Sequence, residues 1–246
     1  MSQIAHNLEE VRRRIAAAAQ RAGRDPAAVR LVAVSKTMPV ELIREAVGAG
    51  QRLFGENYLQ EARGKIEALG EAAEWHFIGH LQSNKATAAV GLFELIHGVD
   101  RLKLAEALDA AAASKGTLQK ILMQVNLAGE ASKSGTSPEA APELLEEISR
   151  LPHLRMVGLM TMPPFLAPEA VRPYFRALRE LRDRLEELGG GPLPELSMGM
   201  SGDYAVAIEE GATLVRVGTA ISALVLVIPV RVTTSLMISS LITRTS

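Results

Sequence analysis

Between residues 31 and 217, short apolar runs rich in valine and leucine alternate strictly with longer stretches of helical periodicity. Segments 31–35, 52–54, 75–78, 92–96, 120–126, 156–160, 196–199 and 213–217 read as strands. Segments 40–49, 56–69, 82–90, 101–114, 138–150, 168–188 and 203–210 read as helices. Pro39 and Pro138 suit a first helical turn, and Ser83, Asp100 and Ser137 suit N-caps. Each helix acts as a crossover that returns the chain to the same end, so the strands must run parallel. Eight such units fit a single-domain (β/α)8 TIM barrel at the small end of its size range. An open doubly wound sheet is the alternative; the lack of a GxGxxG after the first strand argues against it. An extra N-terminal helix is expected at 8–21, with Leu8, Val11, Ile15 and Ala18 on one stripe. Arg12, Arg13 and Arg14 fall mostly off that stripe and read as a solvated face, since glutamates sit beside them.

Composition removes several function classes. The net charge is −1, which does not suit a protein that binds nucleic acid by neutralising phosphates. There is no cysteine, so disulfides and thiolate metal sites are excluded and a reducing, cytoplasmic setting is suited. The first ten residues hold no apolar core of signal-peptide length. Five histidines are present, with no HExxH-type spacing, so a metal site is not expected.

A barrel carries its chemistry in the loops at the carboxyl ends of its strands. Lys36 stands at the end of the first strand. Alternation places it on the face of Val32 and Val34, where partial desolvation would make its amine nucleophilic. The alternative is a lysine that leaves the sheet for water. Met200-Ser201-Gly202 before a helix offers free backbone N–H groups and a hydroxyl, and Gly218-Thr219 repeats that chemistry one strand along. Loops after strands seven and eight are where barrels commonly hold phosphate, although each glycine taken alone suits an ordinary turn. Arg216 shares a face with Leu214 and points into a barrel interior, where it needs an acceptor. That acceptor is either a carboxylate in a structural salt bridge or a ring nitrogen or acid group of a ligand. A lysine nucleophile, a phosphate cup and an inward arginine together fit pyridoxal 5'-phosphate.

These residues lie in segments that carry a family resemblance. They are Val32-Ala33-Val34-Ser35-Lys36-Thr37, Phe54-Gly55-Glu56-Asn57-Tyr58, His76-Phe77-Ile78-Gly79-His80-Leu81-Gln82-Ser83-Asn84-Lys85, Gly158-Leu159-Met160-Thr161-Met162, Leu196-Ser197-Met198-Gly199-Met200-Ser201-Gly202-Asp203 and Arg216-Val217-Gly218-Thr219-Ala220. In this order they resemble the pyridoxal-phosphate homeostasis protein family, single-domain barrels similar to the N-terminal domain of alanine racemase (pyridoxal-phosphate fold type III). The resemblance implies that Lys36 carries the cofactor covalently as an internal aldimine. It implies phosphate contacts from Ser201, Gly218 and Thr219, a pocket lined by Asn57 and Met200, and Arg216 at the pyridine nitrogen. His80 and Tyr58 are further candidate pocket residues, with a helix cap as the alternative role for His80.

Chemistry then bears on turnover. An arginine at the ring nitrogen leaves it unprotonated and weakens the ring as an electron sink. A racemase needs a second base on the far face of the substrate carbon. In alanine racemase a tyrosine from a second domain of the partner subunit supplies it, and none of Tyr58, Tyr174 and Tyr204 matches that role. The expectation is a cytoplasmic, monomeric protein of vitamin B6 homeostasis that buffers and carries the cofactor, with apo forms of cofactor-dependent enzymes as recipients. It involves no nucleic acid and no membrane. An amino-acid racemase or related enzyme is the alternative, and a cofactor-free Schiff-base aldolase a third reading.

The ending departs from the family pattern, in which the chain usually stops soon after a segment like Gly-Thr-Ala-Ile-Phe-Gly. Residues 1–221 are therefore read as the barrel, and 222–246 as an atypical tail. The apolar run at 220–230 is too short to span a membrane, and Arg231 closes it. The departure falls at the last short helix, on the edge of the phosphate cup beyond Thr219.

Overall fold

The computed structural model describes residues 2–130 and 133–222. Most of the tail, from residue 223 on, lies outside that range. Eight parallel strands close into a barrel in sequence order, with β8 hydrogen-bonded to β1. The strands are β1 (Arg30–Val34), β2 (Leu53–Glu56), β3 (Glu74–Phe77), β4 (Leu95–Val99), β5 (Gln119–Val125), β6 (Leu154–Thr161), β7 (Glu195–Ser197) and β8 (Leu214–Val217). The helices are α1 (Gln3–Arg21), α2 (Val40–Gly48), α3 (Leu59–Leu69), α4 (Ala86–Ala89), α5 (Leu102–Lys115), α6 (Ala141–Ser149), α7 (Pro168–Leu185), α8 (Tyr204–Glu209) and α9 (Thr219–Ser222).

Alternation along each strand divides the core into two layers. The inner layer packs Val32, Leu53, Ile78, Leu95, Leu122, Met160 and Leu214 inside the barrel. The outer layer packs residues such as Ala33, Phe54, Trp75, Ile96, Ile121, Leu159 and Val215 against the helices. The stripe Val171, Phe175, Leu178, Leu181 and Leu185 seats α7, as its helical spacing demands.

Several element ends differ from the sequence expectation, those of α4, α6, β6 and β7 among them, and the following differences have a physical reason. The fourth strand begins at Leu95 and ends at Val99, three residues later than read. Phe93 packs outside, with its ring 5.2 Å from that of Phe77. His97 belongs to the strand because the barrel interior supplies polar partners for it. The helix expected from residue 56 begins at Leu59, so Glu56 ends β2 instead. Asp100 does not cap α5; its carboxylate binds Arg101 (2.5 Å) and the Gly135 N–H (3.2 Å).

The N-terminal helix begins at Gln3, capped by the Ser2 hydroxyl, and buries Ile4, Leu8, Val11, Ile15, Ala18 and Ala19. Asn7 donates to the Ile221 carbonyl (2.8 Å), which ties α1 to α9. Arg13 and Arg14 stay exposed and share Glu10. Arg12 instead reaches the Ala49 carbonyl and Gln51. Among the described residues no helix is long and apolar enough to cross a membrane.

Glu210, at the C-terminal end of α8, joins Glu209 in tying α8 to α7 through arginines. It is buried and receives Arg172 (3.2 Å), Arg176 (3.0 Å) and Arg179 (3.2 Å). Burial pushes its carboxyl up, and hydrogen bonds from Arg176 and Arg172 more than offset this, leaving it below its ordinary value. A depressed carboxyl stabilises the fold above the unfolded-state value and loses that contribution as pH falls. Glu210→Gln is therefore expected to cost about 1–2 kcal/mol at neutral pH in urea unfolding. The gap to wild type should close as pH drops through the carboxylate range.

Candidate cofactor site

A cavity of about 500 Å3 opens at the carboxyl ends of β1, β2, β7 and β8. Lys36, Asn57, Met200, Ser201, Arg216, Gly218 and Thr219 all line it. Met162 and Phe165, from the loop after β6, form an apolar rim. His80 and Tyr58 line a neighbouring cavity of about 490 Å3, which meets the first at Asn57. His80 Nδ1 lies 3.1 Å from the Ser134 hydroxyl.

The loops after β7 and β8 build an anion-binding corner. The Ser201 hydroxyl accepts from the N–H groups of Gly218 (3.3 Å) and Ala220 (3.4 Å). Two amide N–H groups therefore converge on one oxygen beside the cavity. Gly218 lets the strands approach this closely, since a Cβ there would meet Val34 Cβ at 3.2 Å. The preceding turn is fixed by Asp203, whose carboxylate accepts the Met200 N–H (2.6 Å). Gly199 has φ +91°, and a Cβ on it would sit 2.6 Å from that of Ala207. No larger residue fits between this turn and α8.

Arg216 enters from below. Its Nη1 donates to the Ser197 hydroxyl (2.5 Å) and its Nη2 to the Thr161 carbonyl (2.9 Å). Ser197 Oγ lies 2.9 Å from His97 Nδ1, and His97 Nε2 lies 3.0 Å from His76 Nδ1. The guanidinium can only donate, so Ser197 accepts from it and passes its own proton to His97 Nδ1. His97 is then the Nε2–H tautomer and donates to His76. Burial, the dominant effect, pushes His76 down to about 3 and holds His97 well below the usual imidazole range. Both rings are neutral at pH 7. Burial pushes Arg216 down to about 10, so it keeps its charge at neutral pH. The structural salt bridge weighed from the sequence is not what holds it: both of these acceptors are neutral, and further N–H groups remain to face the cavity.

Lys36 is less enclosed than the partial desolvation expected of it at the end of the first strand. β1 ends at Val34, and Lys36 is exposed at the cavity mouth in the turn that follows. Its neighbour Thr37 has φ +61°, an outlier for a β-branched residue. Beneath the turn lies a buried ionic group that the sequence reading missed. Lys65 Nζ donates to the Ser35 carbonyl (2.6 Å), Glu56 Oε1 (2.7 Å) and Glu61 Oε1 (2.5 Å). Burial pushes the Glu56 carboxyl above its ordinary value, while Lys65 and Ser35 act against that. The available signal was Lys65 itself, on the inward stripe of α3 with Ala62 and four residues after Glu61.

The donor set can be weighed against pyridoxal phosphate on these atoms. The Ser201 hydroxyl, Gly218 and Thr219 suit a phosphate, the charged Arg216 suits a ring nitrogen acceptor, and the Lys36 amine suits an aldehyde. Among the described residues there is no group of three or more histidines, aspartates and glutamates that could hold a metal ion.

The buried imidazoles make the barrel acid-sensitive. Their folded values lie below the unfolded one, so the unfolded chain binds more protons and stability falls as pH drops. Thermal unfolding should show this loss beginning near pH 6.5 and continuing towards pH 3. Ser197→Ala strips an acceptor from buried Arg216 and a donor from His97, and should cost about 2–3 kcal/mol in urea unfolding.

Residues 2–224 match the family model described as alanine racemase, N-terminal domain. The chain is 49% identical over 214 residues to a pyridoxal phosphate homeostasis protein of Aquifex aeolicus, covering 86% of this chain and 94% of the relative. It is 50% identical over 222 residues to the protein of the same name from Pseudomonas aeruginosa, covering 90% and 95%. A solved structure of PipY from Synechococcus elongatus with pyridoxal phosphate bound superposes with a TM-score of 0.78 at 38% identity, covering 89% of this chain and 99% of that one. Alanine racemase from Corynebacterium glutamicum shares the fold at a TM-score of 0.65 and 19% identity, and 60% of that chain is covered. A closed eight-stranded barrel with this N-terminal helix, matched over nearly the full length of such relatives, belongs to the pyridoxal phosphate homeostasis protein family.

Proposed function

We propose that this chain binds pyridoxal 5'-phosphate in the cavity at the ends of β1, β2, β7 and β8, and buffers it for delivery to apo enzymes that need it. One observation carries the reading: the Lys36 amine, the Arg216 guanidinium on neutral partners, and the Ser201 hydroxyl with Gly218 and Thr219 line a single cavity. The printed name of the relatives and the cofactor in the PipY structure support it. When bound, the cofactor supplies an aldehyde and an electron-withdrawing ring. Lys36 would hold that aldehyde through its amine nitrogen. Ser201, Gly218 and Thr219 would hold the cofactor's phosphate, and Asn57 and Met200 would line the pocket around its ring.

Arg216 donates to the ring nitrogen and withholds a proton from it. Its acidity is too weak at neutral pH to protonate the ring, which favours holding over turnover. Among the described residues that line the cavity, Lys36 is the sole amine, and no tyrosine, histidine or carboxylate joins it. Tyr58 faces the neighbouring cavity, and Tyr204 is buried on α8. The reading is of a monomeric, cytoplasmic carrier.

Purified protein is expected to absorb visible light through the Lys36–cofactor bond, and Lys36→Ala should abolish that band. A variant that keeps the band would remove Lys36 from the assignment. Incubation with single L-amino acids in D2O tests the racemase alternative: exchange of the α-hydrogen at enzyme-like rates would overturn the carrier reading.

A further inference from the structure

The turn that carries Lys36 is held from its far side. Val34 is in register with Gly55, which sets Ser35 beside Glu56 and Lys36 beside Asn57. Alternation sends Lys36 and Asn57 to the cavity, and Ser35 and Glu56 outward beneath α3. Residues 35–38 form a turn closed by the Met38 N–H on the Ser35 carbonyl (3.0 Å). Its third residue has positive φ, a place normally taken by glycine or asparagine. Here it is Thr37, at φ +61°.

The Thr37 N–H donates to Glu61 Oε1 (2.5 Å), and the same oxygen accepts from Lys65. Lys65 also donates to the Ser35 carbonyl, and the Ser35 hydroxyl donates to Glu56 Oε1 (2.6 Å). The backbone is thus tied immediately before and after Lys36. All three Lys65 donors are used, and its side chain is only 5% exposed. An unfavourable backbone conformation persists only where surrounding contacts enforce it.

We infer that Glu61 and Lys65 are positioning residues that lock the Lys36 turn in its left-handed conformation and thereby set how long the cofactor is retained. The retention part rests on the proposed bond between Lys36 and the cofactor. Without the lock, Thr37 relaxes to negative φ, the Met38–Ser35 bond opens, and Lys36 is redirected from the cavity.

Lys65→Met would leave Glu56 buried without its counter-charge and is expected to fold poorly. Glu61 is partly exposed, so Glu61→Ala is the informative variant. Two measurements are made on wild type, Glu61→Ala and Glu61→Ala/Thr37→Gly. The first is amide hydrogen exchange at Met38 in cofactor-free protein. The second is the rate at which the visible band decays when an excess of a carbonyl-trapping amine captures released cofactor. Glu61→Ala should lose Met38 protection and release cofactor roughly tenfold faster. Adding Thr37→Gly, which accepts positive φ freely, should restore protection and most of the retention. A role confined to packing α3 would lower the melting temperature of Glu61→Ala while leaving Met38 exchange and release unchanged, and that result overturns the inference. A wild type without a visible band would instead overturn the cofactor reading, while Met38 exchange would still decide whether Glu61 holds the turn.

Discussion

In a closed parallel barrel each strand residue has only two destinations, the interior or the helical shell. That constraint governs where this chain keeps its buried charges. Leu214 and Arg216 go inward on β8, in register with Arg30 and Val32 of β1. Glu56 goes outward on β2, against α3. A guanidinium placed among valine and leucine costs several kcal/mol unless its donors are met. The interior therefore carries Ser197, His97 and His76 on the inward positions of β7, β4 and β3. Ser197 and His97 each accept one hydrogen bond and donate one, and His76 accepts the last.

Two buried cations among the described residues, Lys65 and Arg216, are treated differently. Lys65 is met by two carboxylates and a carbonyl, so its charge is answered within the protein. Among the described residues Arg216 has hydrogen bonds only to a neutral hydroxyl and a carbonyl, with Asp203 acting on it from a distance. The first arrangement consolidates a structure. The second leaves positive charge directed at the cavity, where an acceptor from outside can use it. The histidines fit this division: being neutral, they set the direction of the hydrogen bonds without compensating the charge.

The barrel was legible in the sequence because strand–helix alternation survives local errors. Placing the fourth strand three residues early, or starting α3 at Glu56, changes neither the count nor the order. Lys36, Ser201, Arg216 and Gly218 stood out as polar or glycine residues where strands end, and the fold brings them to one cavity. His80 and Tyr58 lay on the same loops but open the other way, because a loop residue's direction follows no period. His97 bonds to Ser197 across 100 residues of sequence. No local pattern announces such a pair, and an apolar-run reading steps over it. Glu56 was hidden by its own assignment: read as the first residue of a helix, it looked solvated, whereas as the last residue of a strand it is fully buried.

The outward side of the strand ends thus bears on what the inward side can do. A cofactor carrier has a requirement that a catalyst lacks, since its nitrogen–carbon bond must be both secure and reversible. Lys36 is exposed, so burial is not what restrains it. Restraint by the turn does not require closing the cavity, because the ties run through the backbone of Ser35 and Thr37 and leave the amine free. On the proposed reading, retention is set by how strongly the outer shell holds a two-residue segment, and the route to solvent stays open throughout. A recipient would then need only to compete for the cofactor as the turn relaxes, without prying open a sealed pocket.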